Sequence, residues 1–382
     1  MRRIHRILLI VSLILGSSML MGCPERVFNA LGVGIVATDG SGEPTEILIT
    51  DMGDQIMPCT GADESKIIIV NKEGTILWWF DPWFNVLNGA HTAELNASKD
   101  EMIISDTCHH RVLIISYPAG EVLWDDEVDC PELDLNHPND AQFLENGNLL
   151  ISDRDNHWVI EVDPAPDACN GTPDDGEIVW SFGVRGYPRS RLNFDDPTHL
   201  HSPHNVDRLP NGNTIIADSG EFLIGLSRVI EVNPAGQIVW SYKNYGDKKD
   251  CTIKGALFQA CPALTWGRDA EVECAGEECE TGLVTVTGLH QTVSVVRDLA
   301  EPLLPGEPHP RGREVIYQVE HAPGTCYDSD KIPQWDGDTN EGLGFFLVSN
   351  HGPMDLGNWL RVVPVDAGYS GIENIWELRG VQ

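Results

Sequence analysis

Five side chains have the types and spacing to do chemistry together: His91, His137, Asn139, Arg154 and His204. They recur in similar surroundings, as His91-Thr-Ala-Glu94, His137-Pro-Asn139-Asp140 and Ser202-Pro-His204-Asn205-Val-Asp207. His290 opens a further segment, Gln291-Thr-Val-Ser, and His351 follows Ser349-Asn350 much as Arg154 follows Ser152-Asp153. Near neutral pH an imidazole can be donor, base or nucleophile. A guanidinium offers a planar fork that matches an oxyanion. Brought to one pocket, such a set would hold an anionic ester while one ring attacked it. The three histidines lie 46 and 67 residues apart, so only a fold that converges distant segments can assemble them.

The stretch from His201 to Tyr242 indicates what that fold is. Asn211-Gly212-Asn213 is a turn flanked by apolar alternation, so Val206 to Leu209 and Thr214 to Ala217 read as a hairpin. Val229-Ile-Glu-Val232 reads as a third strand, and Asn233-Pro-Ala-Gly236 turns the chain into a fourth, Gln237-Ile-Val-Trp240. Four antiparallel strands in about 40 residues are the sequence form of one propeller blade.

The fourth-strand signature recurs. It appears as Gly74-Thr-Ile-Leu-Trp78, Gly120-Glu-Val-Leu-Trp124, Gly176-Glu-Ile-Val-Trp180 and Gly236-Gln-Ile-Val-Trp240, then more loosely around Tyr317 and Trp376. Spacings between these aromatics are 46, 56, 60, 77 and 59 residues. Six copies imply an all-β fold, a six-bladed β-propeller of four-stranded antiparallel blades. A large aromatic at one place per blade fills the wedge between neighbouring sheets, so these rings read as core. Third strands precede most copies, for example Ile67 to Val70, Val112 to Ile115 and Val159 to Val162. The first strand of each blade lines the channel, which places the histidine segments at the axis.

Three regions depart from the repeat. Residues 1–22 read as a signal peptide, with Arg2, Arg3 and Arg6 before the apolar run Ile7 to Leu15. Leu20-Met-Gly-Cys23 resembles a bacterial lipobox, which implies lipidation at Cys23 and, with Pro24 following, the outer membrane. Residues 23–60 are expected to be a linker plus strands, from Gly32 to Thr50, that complete the last blade; residues 61–382 then form the propeller. Residues 243–312 hold four cysteines, an acidic run and a Pro-rich stretch, and read as a blade with long insertions. Its strands are expected at Leu283 to Thr287 and Thr292 to Val296.

Composition narrows the function classes. The chain carries a net charge of −34, and removing residues 1–22, with three Arg and no acid, takes it to −37. Nucleic acid and anionic headgroups are disfavoured partners, so membrane contact is expected through the lipid anchor alone. Ten cysteines fit an exported protein; Cys274 with Cys279, and Cys251 with Cys261, are spaced to close small loops. No Cys-x-x-Cys pair is present, and Asp336 to Gly342 departs from a calcium loop by placing Gly one position late, so it reads as a solvated loop.

The blade motifs resemble those of a known family. His137-Pro-Asn139 followed by Leu149-Leu-Ile-Ser-Asp-Arg154 looks like the bacterial arylsulfotransferases, as does His204 followed by Asn211-Gly-Asn-Thr-Ile-Ile-Ala-Asp-Ser-Gly220. The resemblance covers about residues 60–245 well and the last blade loosely. It implies a six-bladed periplasmic propeller that moves a sulfuryl group from an aryl sulfate to a phenol through a sulfated histidine, with no cofactor and no metal. His204 would be the nucleophile, although His201 also precedes the strand. His137, Asn139 and Arg154 would hold the sulfate oxygens, and His91 would complete the pocket, with His290 and His351 beside them. The alternative is a non-catalytic cell-surface propeller binding a protein or glycan, with long loops on a rigid scaffold carrying recognition. A third reading, a metal-dependent propeller using His137 with Asp140 and His204 with Asp207, ranks lower because Arg154 would oppose the cation.

Overall fold

The computed structural model describes residues 30–38, 44–51, 59, 65–71, 75–80, 86–165, 178–190, 196–220, 227–242, 269–274, 278–287, 291–300, 315–320, 325–332, 345–351, 359–364 and 374–376. Six four-stranded antiparallel sheets result. The first holds β1 (Ala30–Thr38), β2 (Pro44–Asp51), β3 (Lys66–Asn71) and β4 (Ile76–Phe80). The second holds β5 (Ala90–Leu95), β6 (Glu101–Asp106), β7 (Arg111–Ser116) and β8 (Val122–Asp125). The third holds β9 (Pro138–Phe143), β10 (Leu149–Asp153), β11 (Trp158–Val162) and β12 (Ile178–Gly183). The fourth holds β13 (Pro203–Arg208), β14 (Thr214–Asp218), β15 (Arg228–Val232) and β16 (Ile238–Tyr242). The fifth runs β17 (Asp269–Cys274), β18 (Thr281–Thr287), β19 (Gln291–Asp298), β20 (Val315–Glu320), and the sixth β21 (Thr325–Ile332), β22 (Phe345–His351), β23 (Trp359–Pro364), β24 (Asn374–Trp376).

Each sheet is a meander, and the first strands of successive sheets touch: β1 with β5, β5 with β9, β9 with β13, β13 with β17, β17 with β21. β21 in turn meets β1, so the sheets close on themselves as a propeller. One expectation is corrected here. Gly32 to Thr50 does not complete the last blade: β1 and β2 pair with β3 in the first sheet, Ile49 lying opposite Ile68. Inner and outer strands of each sheet come from one continuous stretch of chain, and the last sheet has its own four strands.

Four of the recurrent aromatics, Trp78, Trp124, Trp180 and Trp240, lie between sheets. Trp124 packs with Ile103 and Val112 of its own blade and with Leu149 and Trp158 of the next. Trp240, fully buried, sits with Val284, Val286 and Val295 of the fifth sheet, and Trp180 and Trp78 serve the interfaces on either side of the second and third blades. Apolar area at these wedges joins one rigid sheet to the next at about 25 cal/mol per Å² buried. Polar links reinforce them: Arg297 on β19 grips Glu231 on β15, both fully buried, with Nη2 2.6 Å from Oε1. Cys274 and Cys279 form the expected small-loop disulfide, and Cys59 pairs with Cys108, tying a first-blade loop to the second blade. Cys251, Cys261 and the acidic loop from Asp336 to Gly342 lie outside the described residues.

Candidate functional site

A buried aspartate ends the second strand of successive blades and fixes the geometry of everything near the axis. One carboxylate oxygen of Asp106, Asp153 and Asp218 accepts a backbone N–H from the loop that leads into the same blade. The donors are Asn88 at 2.6 Å, Asn136 at 2.8 Å and His201 at 2.6 Å. The other oxygen takes the side chain that opens the third strand: Arg111 Nε at 2.8 Å, Trp158 Nε1 at 2.7 Å and Arg228 Nε at 2.7 Å. Each carboxylate thus ties three segments of one blade together, with all three aspartates fully buried. Burial pushes the Asp153 carboxyl up to about 6, against the pull of its hydrogen bonds from Trp158, Asn136 and Asn156.

These aspartates also set the register. Asp106 lies opposite Ala90, Asp153 opposite Pro138 and Asp218 opposite Pro203, with Asp51 opposite Ala30 in the first blade. The next inner-strand position therefore carries Leu31, His91, Asn139 and His204 in blades one to four. His91 and His204 are equivalent, as expected, but the third blade supplies Asn139 there. His137 stands two residues earlier, on the loop. Reading His91, His137 and His204 as equivalent positions is corrected by this register: His137 falls on the loop before β9, while His91 and His204 each follow the residue paired with the strand-end aspartate.

His91, Asn139 and His204 converge. The His91 and His204 ring centroids are 5.2 Å apart, and Asn139 Nδ2 lies 2.7 Å from His204 Nδ1 and 3.0 Å from Nε2. All three are buried, Asn139 completely. Asn139 Oδ1 has no hydrogen-bond partner among the described residues. Beside them, Asp140 Oδ2 takes the Val206 N–H at 2.9 Å across the blade interface, and burial pushes its carboxyl up to about 6.

His137 and Arg154 belong to a second group at the rim, organised by Asp155. Arg154 holds that carboxylate with Nε at 2.7 Å and Nη2 at 3.1 Å, and His137 Nδ1 lies 3.0 Å from Oδ2. Burial raises the Asp155 carboxyl, yet the hydrogen bonds and charges of His137 and Arg154 outweigh it and hold the group well below the usual range. The two groups expected to grip a sulfate therefore grip a carboxylate. Asn136 Oδ1 also lies 3.0 Å from His137 Nδ1, so that nitrogen faces two acceptors and carries the proton. A pocket of about 470 Å³ opens beside this rim, lined by His110, Asp126, Glu127, Asp134, Asn136 and Asn156. Burial pushes the Asp126 carboxyl up to about 8.

His201 is placed away from the axial group. Its ring nitrogen Nδ1 is 2.7 Å from the Arg189 carbonyl, and its ring packs on His157 with centroids 5.2 Å apart. His351 ends β22 at the register place opposite Thr325, next after Asn350. His290 and Cys23 lie outside the described residues. Among the described residues no group of three or more His, Cys, Asp or Glu is arranged to hold a metal ion. Asp155, His110, His157 and the three strand-end aspartates were not singled out from the sequence as functional. The one signal in the sequence is that each of these strand-end aspartates follows a small residue, as Ser105-Asp106, Ser152-Asp153 and Ala217-Asp218, which marks a place without revealing its partners.

No family model and no curated protein matches the chain. Solved structures resemble it at low identity. A protein of unknown function from Bacteroides caccae is 17% identical over 58% of this chain and 69% of its own, with a TM-score of 0.38. Virginiamycin B lyase from Staphylococcus aureus is 9% identical over 89% of this chain and 92% of its own, with a TM-score of 0.40. The β-propeller domain of Cps50 (Swd1) from Myceliophteria thermophila is 8% identical over 92% and 89%, with a TM-score of 0.48. Likeness at this level says nothing of substrate.

Proposed function

We propose that the protein is a sulfuryl-transfer propeller whose nucleophile is His204. The observation that carries this reading is the convergence of His91, Asn139 and His204 from three blades, with Asn139 Nδ2 2.7 Å from His204 Nδ1. A nucleophilic ring needs one nitrogen protonated and held and the other bearing a lone pair. A half-turn of the Asn139 amide supplies this. It brings Oδ1, buried and unpartnered among the described residues, onto Nδ1–H and leaves the lone pair on Nε2. Nε2 then attacks the sulfur of an aryl sulfate, the N–S bond forming as the S–O bond to the aryl group breaks and the phenolate leaves with the electron pair. In the second half an acceptor phenol loses its proton and its oxygen attacks the same sulfur, restoring His204. His91, 5.2 Å away ring to ring, is placed to carry that proton. The test is release of p-nitrophenol from p-nitrophenyl sulfate that depends on added phenol; no release in the folded protein rejects the reading.

A second reading is favoured by Asp155. With Arg154 and His137 already bound to a carboxylate, the face can act as a binding surface for a protein or glycan without transferring anything. Asp155→Asn separates the two. On the transfer reading it releases Arg154 and His137 toward sulfate oxygens and lowers KM for the aryl sulfate roughly fivefold or more. On the binding reading it changes no turnover, because there is none. Initial rates on the variant and the parent decide.

Export and anchoring through Cys23 complete the proposal, supported by the charged start, the apolar run and the lipobox-like Leu20 to Cys23. No helix among the described residues is long and apolar enough to cross a membrane. Cys23→Ala is expected to abolish incorporation of labelled palmitate in a bacterial host; retained label sinks the assignment.

A further inference from the structure

We propose that His110 and His157 are positioning residues: each fixes the leading residue of the next blade, and so His137 and His204, in an arrangement that acid undoes. Only the naming of what is positioned rests on the sulfuryl-transfer reading. The observation is a joint built twice. His110 Nδ1 accepts the backbone N–H of His137 at 3.2 Å, and His157 Nδ1 accepts that of Ser202 at 3.2 Å. Ser202 lies two residues before His204. The donor residues have φ of 54° and 55° and the acceptor residues 61° and 63°, all left-handed and costly for a side chain with a Cβ. In each joint the acceptor ring also packs on a histidine of the leading segment, His110 on His137 at 4.1 Å and His157 on His201 at 5.2 Å.

A neutral imidazole that accepts at Nδ1 carries its proton on Nε2. A second proton must go to Nδ1, where it meets the N–H already pointing there. The bond becomes a repulsion between two donors, and the left-handed segment loses its restraint. His110 faces His137, Asn136, Asp155 and Glu127; burial, then the His137 charge, lower its pKa against the opposing pull of Asn136, Asp155 and Glu127. His157 faces His201, Asp155, Asp218 and Arg154. Burial, then the His201 charge, lower it to about 4 despite the two carboxylates.

The sign follows from linkage. An unfolded histidine titrates near 6.5, so between about 6.5 and 4 the unfolded chain binds the extra proton more readily. The contribution of the joint is whole above that window and is lost as pH falls through it. Asp140 and Asp153, raised to about 6, act in the opposite sense over part of the same range, so the difference between proteins is the informative quantity.

The test uses two double variants of the protein, H110N/H157N and H110L/H157L. Asparagine places Oδ1 where Nδ1 stood, does not titrate and tolerates positive φ; leucine removes the acceptor. Denaturant titrations from about pH 7.5 to about pH 4.5 give the folding constant, and p-nitrophenyl sulfate binding is followed on the same samples. The asparagine variant is expected to match the parent at the upper pH, and the leucine variant to fall about tenfold or more below both. Toward the lower pH the parent should lose several-fold more stability than the asparagine variant, and lose ligand earlier. Parallel curves for parent and asparagine variant overturn the proposal. So does an asparagine variant as unstable at the upper pH as the leucine one. Should no protein bind the aryl sulfate, the transfer reading falls while the stability curves still decide this one.

Discussion

Asp218→Ala is expected to cost about 3–5 kcal/mol, among the largest losses any single substitution here should produce. The carboxylate is fully buried and serves three segments of the fourth blade. It accepts the His201 N–H at 2.6 Å and Arg228 Nε at 2.7 Å, and Arg189 Nη2 lies 3.3 Å away. Alanine leaves two guanidinium groups, each about 1% exposed, without that counter-charge, together with a backbone donor lacking its acceptor. Removing one member of a buried charge network costs far more than the network contributes over an apolar replacement. Against a typical stability of about 5–15 kcal/mol the loss is large enough to read directly from the denaturation midpoint. Asp218→Asn, which keeps an acceptor for His201, should fall between. A loss below about 1 kcal/mol for the alanine variant would mean that the aspartate does not organise the blade.

His204→Ala should abolish sulfuryl transfer, lowering turnover by about 10³-fold or more while the near-ultraviolet circular dichroism persists. The expected loss is large because a nucleophile has no substitute: the remaining groups can hold an aryl sulfate but cannot take its sulfuryl group. His91→Ala removes an acid–base group from the same cluster and should cost less, about 10²-fold. Equal turnover in parent and His204→Ala would reject the assignment of the nucleophile, and His201 would then be the next residue to replace.

The fold was legible in the sequence to the extent that one strand announced itself. Gly, two β-branched or leucine residues and Trp recur because the fourth strand starts from a turn and ends in a wedge, and Trp78, Trp124, Trp180 and Trp240 all pack between sheets. The site was legible in its members more than in its arrangement. His91, Asn139 and His204 do meet, but aligning the blades on histidine paired His137 with His91. The true anchor is the second-strand aspartate, because Asp106, Asp153 and Asp218 each pair with the residue just before the axial position, Ala90, Pro138 and Pro203. Partners from the next blade were beyond reach of any spacing rule. That His110 Nδ1 would accept from His137, or His157 Nδ1 from Ser202, depends on how two sheets pack, and Asp155 meets His137 only because the two loops at one end of the third blade are brought together. The early strands were misassigned for a related reason: β1 and β2 have no copy of the fourth-strand signature before them, and nothing local distinguishes opening a first blade from closing a last one.

The most direct test of sulfuryl transfer through His204 is a rapid-quench measurement with p-nitrophenyl sulfate and no acceptor phenol. The account predicts a burst of p-nitrophenol approaching one equivalent of protein, followed by a near-flat phase, with the sulfuryl group recovered on His204 and the burst absent from His204→Ala. No burst from the folded parent, or a burst that survives the substitution, would contradict it.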